Sequence, residues 1–327
     1  MKQIKITDQI VAPSERVLSQ LVPVRVFREH TQRVHSADVT PEGRYFLTSD
    51  AESVCVLDAE QGTKHKQLLA KQQGISVAKF MHAGAMSCIV GSGKTNLMRH
   101  WDLYENKIVR NFQAHEAPVC SMDVHPYEDM VISGSLDHTA MLWDFRKERP
   151  LGKFPIFAES TRDFSAIFPP SVCFDNLGMV FALSSGGTRI HLFDTRNFEK
   201  AEFAHFDFSS IALSPIKFTK FSPCGKYILL TCYDGSIFSV DSFKGELIAK
   251  YPASVEAEPV FSPDSNIVAY ASPEGLISFY NTLDGKKLTH LKGHTGYPRV
   301  VKFNPQRAQL LSASIPVALW NLPKSHF

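Results

Sequence analysis

No apolar run in the sequence approaches the roughly 20 residues that a membrane-spanning helix needs. The amino terminus, MKQIKITDQIVAPSERVLSQ, scatters charges among its apolar residues. A soluble chain with no secretory leader and no membrane attachment is therefore expected. An excess of charge of one sign is also missing, because 35 basic residues face 33 acidic ones for a formal net charge of +2. Any anion-binding surface must then be a local patch, and direct nucleic-acid binding is not expected. The six cysteines, at 55, 88, 120, 173, 224 and 232, form no C-x-x-C pair and no zinc-ligand spacing. Reduced structural thiols, as in the cytosol or nucleus, are the expectation. The 13 histidines include no H-E-x-x-H, so no metal is expected. No two of the 18 glycines stand four residues apart, which excludes the G-x-S-x-G nucleophile elbow.

One short stretch argues the other way. GSGKT, Gly91 to Thr95, matches the second half of a phosphate-binding loop, whose backbone N–H groups, lysine and hydroxyl cradle phosphates and magnesium. The first glycine of that motif belongs at position 88, which holds Cys88. A phosphate loop must also leave a strand and open a helix. Here SCIV reads as one strand and LMRHWD as the next, so the stretch is expected to be a hairpin turn, with glycines chosen for positive φ. No cofactor is expected.

What the sequence does contain is a repeat. An apolar run ending in Asp or Asn recurs at Asp58, Asp102, Asp144, Asp194, Asp241, Asn281 and Asn321, at intervals of 44, 42, 50, 47, 40 and 40 residues. That period fits the four antiparallel strands of a propeller blade. Turn residues followed by strand-like runs precede the marks, as in FSPCGKYILLTC and FSPDSNIVAYAS. An outer-strand candidate follows every mark but the last, after which six residues remain. VFREH, Val26 to His30, resembles the outer strands NFQAH and HLKGH and would complete the seventh blade. The expectation is all-β: a seven-bladed WD-repeat β-propeller over 22–327, closed by an amino-terminal outer strand, behind an extension of residues 1–21. SERVLSQL in that extension reads as an amphipathic segment, either packed on the ring or free to bind a partner. FPIFAESTRDFSAIFPP, Phe154 to Pro170, accounts for the longest interval and reads as a loop.

Blade three carries His115, Ser133, Asp137 and Trp143 and so resembles a WD-repeat blade, which implies a buried chain of hydrogen bonds, indole to hydroxyl to imidazole to carboxylate. A structural role is preferred to a catalytic triad, and no catalytic residue is assigned. Blade one keeps part of the set, His30 with Thr48 and Glu52, and the last blade keeps His294, Ser312 and Trp320 without an acid. Partner recognition is expected on the rim formed by the turns between second and third strands and the entries to the first strands. Arg33, Lys94, Pro118, Lys217, Tyr297 and Arg299 map there, and their charges suit an acidic or phosphorylated peptide.

GSLDHTAMLWDFR, LFDTRNFEKAEFAHF, KFSPCGKYILL with SVDSFKG, and GHTG with VKFNP occur in an order that resembles the WD repeat-containing protein 82 family. The resemblance runs from about Val24 to Leu322, and FDTRNFEKAEFAHF and VDSFKG are its most specific parts. It implies a non-enzymatic nuclear adaptor, a monomeric propeller within a hetero-oligomer. The family serves COMPASS-type histone lysine methyltransferase and a type-one protein phosphatase assembly in RNA polymerase II termination. Its implied partners are methyltransferase or phosphatase regulatory subunits and the phosphorylated polymerase tail. The alternative is a WD scaffold of another class, a ubiquitin-ligase substrate receptor or an RNA-processing subunit.

Overall fold

In the middle strands of each repeat, apolar side chains fall on both faces of the strand, as a sheet covered on both sides requires. Met130–Ser135 and Thr139–Asp144 are buried at every position. The reason is visible in the packing: Val131 and Trp143 join a cluster with Ile89 and Phe112 of the preceding repeat. Ile132 and Leu142 join Phe174 and Phe181 of the following one. Alternate side chains thus serve opposite neighbours. Each of the seven apolar clusters lies between two successive repeats, and one of them joins Leu311 and Leu319 of the last repeat to Phe46 and Leu57 of the first.

The computed structural model describes residues 13–81, 86–156, 168–184, 186–212, 214–252, 258–294 and 296–323. Among them it forms seven four-stranded antiparallel sheets, arranged as the blades of a propeller. In six blades the strands run in chain order from the inner to the outer edge. The seventh is made of Val300–Phe303, Leu310–Ala313 and Val317–Asn321, with Val22–Phe27 from the amino end as its outer strand. Val22 pairs with Asn321 and Phe27 with Val317, so the chain ends close the ring.

That closing strand lies four residues earlier than VFREH suggests. Phe27 is its buried end, and the following residues leave the sheet so that His30 can turn into blade one, where it meets Thr48. Before the strand, Ser14 caps a single helical turn, Glu15–Leu18, by accepting a hydrogen bond from the Val17 N–H. Leu18 and Leu21 are buried against Ile267, Leu291 and Phe303, so this part of the extension packs on the sixth and seventh blades. Of the segment Phe154–Pro170, residues 157–167 lie outside the described set. Its ends are held: Phe154 and Ile156 are in the core between blades three and four, and the Phe168 ring packs at a tilt against Tyr233 with centroids 4.4 Å apart.

Candidate partner-binding face

GSGKT occupies the turn between Ser87–Gly91 and Met98–Asp102, and no helix follows it. The turn is built by Ser92, whose hydroxyl accepts from the Thr95 N–H at 3.0 Å. The expected role of the glycines is corrected here, because neither Gly91 nor Gly93 is among the glycines with positive φ. Gly91 is a packing residue: a Cβ there would sit 2.9 Å from the Ser76 hydroxyl and 3.2 Å from Val119 of the next blade. Lys94 is exposed at the tip, with its Nζ donating to the Lys71 carbonyl at 2.7 Å.

All first strands run in the same direction, so their entries and the turns between second and third strands share one face. Arg33 lies exposed on the approach to Ser36–Val39, and Pro118 immediately precedes Val119–Val124. Lys217 is the second residue of the first strand Ile216–Phe221, with Nζ 5.3 Å from the centre of the Phe218 ring and 5.6 Å from that of Tyr233. Tyr297 and Arg299 lead into Val300–Phe303. Topology thus puts the six residues on one rim but spreads them over blades one, two, three, five and seven. It adds Phe168 and Tyr233, which the sequence reading missed. Tyr233 follows the second strand of blade five in TCYDGS, so the mapping that found Lys94 also reaches it.

In blade three, Trp143 Nε1 donates to Ser133 Oγ at 2.8 Å, the Ser133 hydroxyl meets His115 Nε2 at 2.8 Å, and His115 Nδ1 meets Asp137 Oδ2 at 2.9 Å. The same carboxylate accepts from the Glu116 N–H and, through its other oxygen, from the Thr139 N–H and hydroxyl. Burial holds the His115 imidazole below its ordinary range despite the pull of Asp137. Burial also pushes the Asp137 carboxyl up, but the bonds from Thr139, Glu116 and His115 outweigh it and keep it below the usual carboxylate value. The imidazole is therefore neutral, with its proton on Nδ1, and the Ser133 hydroxyl points at it from a fully buried position. A substrate could not reach that hydroxyl, so the constellation fastens strands together.

Blade one has a carboxylate as well, but it is Asp50 and not Glu52. His30 Nδ1 lies 3.1 Å from Asp50 Oδ2, and its Nε2 lies 2.9 Å from the Thr48 hydroxyl. Asp50 sits where its other oxygen caps the N–H groups of Glu52 and Ser53, so the turn itself aims it inward. In blade seven, His294 and Trp320 share Ser312, and among the described residues no acid is bonded to either. Among the described residues no group of histidine, cysteine and acidic side chains is placed to hold a metal.

The family model "WD domain, G-beta repeat" matches residues 21–57 and 106–144. Together with seven four-stranded blades, this match defines the molecule as a WD-repeat β-propeller. The chain is 30% identical to WD repeat-containing protein 82 of Drosophila melanogaster over 95% of its own length and 97% of that protein's. It belongs to the WD repeat-containing protein 82 family. It is also 25% identical to COMPASS component SWD2 of Saccharomyces cerevisiae, covering 86% of this chain and 88% of the other. It is 28% identical to Set1 complex component swd2 of Schizosaccharomyces pombe, covering 63% and 55%.

Proposed function

We propose that this chain is a non-enzymatic scaffold subunit of a nuclear COMPASS-type complex, and that its rim holds an acidic or phosphorylated partner segment. The observation that carries the reading is similarity along nearly the whole propeller to WD repeat-containing protein 82, with SWD2 as a second relative of matching extent. The rim supports it chemically. Arg33 and Lys94 are exposed on two successive blades, where charge-assisted hydrogen bonds to phosphate cost little rearrangement. Membership of a type-one phosphatase assembly, and a link to the polymerase tail during termination, extend the same reading through the family resemblance.

Affinity purification of the tagged chain from nuclear extract tests it, with Arg33→Glu/Lys94→Glu as the paired variant. Wild type should recover a histone methyltransferase or a phosphatase regulatory subunit. The variant should bind a phosphorylated tail peptide about tenfold more weakly, the loss of one to two charged hydrogen bonds at an exposed site. Recovery of ubiquitin-ligase or RNA-processing subunits in place of both would overturn the assignment.

A further inference from the structure

The propeller's central channel is lined by first-strand side chains, and several are charged. Lys79 Nζ donates to Asp123 Oδ1 at 3.3 Å, and Lys220 forms an ion pair with Glu258. The carboxylates also serve the backbone: Asp123 Oδ2 accepts from the Phe174 N–H at 3.0 Å, and Asp38 Oδ2 from the Phe80 N–H at 2.9 Å. These bonds tie the first strands of blades one and three to the next blade. Lys302, on the first strand of blade seven, is left out. It is 9% exposed and makes no hydrogen bond or ion pair among the described residues. It lines a cavity of about 110 Å³. The hydroxyls of Ser76 and Thr219, from the same lining, are buried without a partner.

The Lys302 ammonium and the two hydroxyls are all able to donate, and none of them is hydrogen-bonded to the nearby carboxylates, which accept from other groups. Donors buried without acceptors are costly, so the cavity suits an added acceptor. We propose that the channel binds one small oxyanion, a carboxylate or a sulfate-like group, with the Lys302 ammonium as its anchor and the Ser76 and Thr219 hydroxyls as further donors. The volume admits one such group and excludes a nucleotide, which needs several hundred Å³.

The surroundings give the site a pH dependence. Burial is the main reason the Lys302 amine is brought down to about 7; Lys220 and Lys79 also lower it, while Glu258 and Asp38 raise it. Near neutrality the empty site therefore holds the amine partly uncharged, and a bound anion would draw a proton onto it. Binding should be about tenfold weaker at pH 8 than at pH 6, because the protonated fraction of the free amine falls by that factor.

Calorimetric titration of the full chain with sulfate and, separately, acetate tests the site. The expected result is saturable binding with proton uptake, weaker as pH rises and lost in Lys302→Met. Acetate alone would point to an acidic side chain of a partner, and sulfate alone to a free inorganic ion. A second measurement needs no variant: with ¹³C-lysine, the Lys302 Cε resonance should titrate near neutrality and move to higher pH when the anion is added. No saturable proton-linked heat and an unmoved titration, or binding retained in Lys302→Met, would overturn the proposal.

Discussion

Blades two and three solve one structural problem in different ways. The strand registers set Trp101 opposite Cys88 and Trp143 opposite Val131, so the two tryptophans occupy equivalent places. Counting forward from Cys88 and Val131, Val90 of blade two stands where Ser133 stands in blade three. Lys94 likewise stands where Asp137 does, two residues beyond Ser92 and Ser135. Both turns use that serine: Ser135 Oγ accepts from the Asp137 N–H, and Ser92 Oγ from the Thr95 N–H. Yet Asp137 turns in to His115, whereas Lys94 turns out to solvent and Trp101 is left to donate to Asn106 at 3.2 Å. A blade can thus be fastened by a buried polar chain or by packing alone. Where packing suffices, the turn tip is released toward solvent.

The largest test of this contrast is Ser133→Ala. It removes the acceptor of the Trp143 indole and the donor to His115 together, inside a fully buried site. Leaving buried polar groups unmatched costs about 1–3 kcal/mol each, so a loss of about 2–4 kcal/mol in unfolding free energy is expected. The blade-two counterpart is Asn106→Gly, which removes the acceptor of Trp101 while glycine keeps the positive φ of 56° easy. Asn106 is exposed, so water replaces it, and the loss should stay below about 1 kcal/mol. Equal shifts of the urea midpoint in the two variants would erase the distinction between the blades.

If packing holds blade two, its weak point is the first glycine of GSGKT. Gly91→Ala would bring a Cβ to 2.9 Å from Ser76 Oγ and 3.1 Å from Val77 Cγ1, atoms of a first strand wedged against blade three. Overpacking of this kind costs about 1–3 kcal/mol. In Gly93→Ala the nearest atom is the Ile75 carbonyl oxygen at 3.4 Å, an ordinary contact, and stability should change by less than about 0.5 kcal/mol. Thermal unfolding of the two variants side by side decides the matter; a destabilised Gly93→Ala with a neutral Gly91→Ala contradicts the packing account.

The same two blades show what could be read in advance. The Asp and Asn marks gave the ring, because a mark closing the third strand recurs whether or not the network is present. The closure at the amino end was legible too, although Val22–Phe27 begins earlier than VFREH, since a strand boundary depends on where His30 must turn. Asp50 was missed in favour of Glu52 because which side chain a turn aims inward depends on its own backbone bonds. The role of Gly91 could not be seen, since its reason is Val119 of another blade, 28 positions away. Lys302 escaped for a related cause. Lysines in KFSP and VKFNP look like solvated charges until the ring gathers first-strand residues of several blades around one central cavity.

The smallest expected effect separates the blades by proton linkage. His115 is neutral and held below its ordinary value of 6.5 by burial, with Asp137 opposing. Above about pH 6.5 its contribution is fully present. As pH falls from there through the folded value, the unfolded chain takes up a proton that the folded chain refuses, so stability declines. Asp137 acts in a lower window: its depressed carboxyl stabilises above about pH 4, and that stability is lost as pH falls through its folded value. Asp137→Asn leaves burial as the dominant influence on His115, as it already is on His294 in blade seven. The imidazole then refuses its proton to still lower pH, and the decline between about pH 6.5 and 5 should become larger than in wild type. Lys94→Ala, the equivalent position in blade two, should leave that slope unaltered, because its side chain faces solvent. Urea midpoints recorded across this range for the three proteins provide the comparison. An unchanged slope in Asp137→Asn would mean that the carboxylate does not set the proton affinity of His115, and that the blade-three network holds its strands by geometry alone.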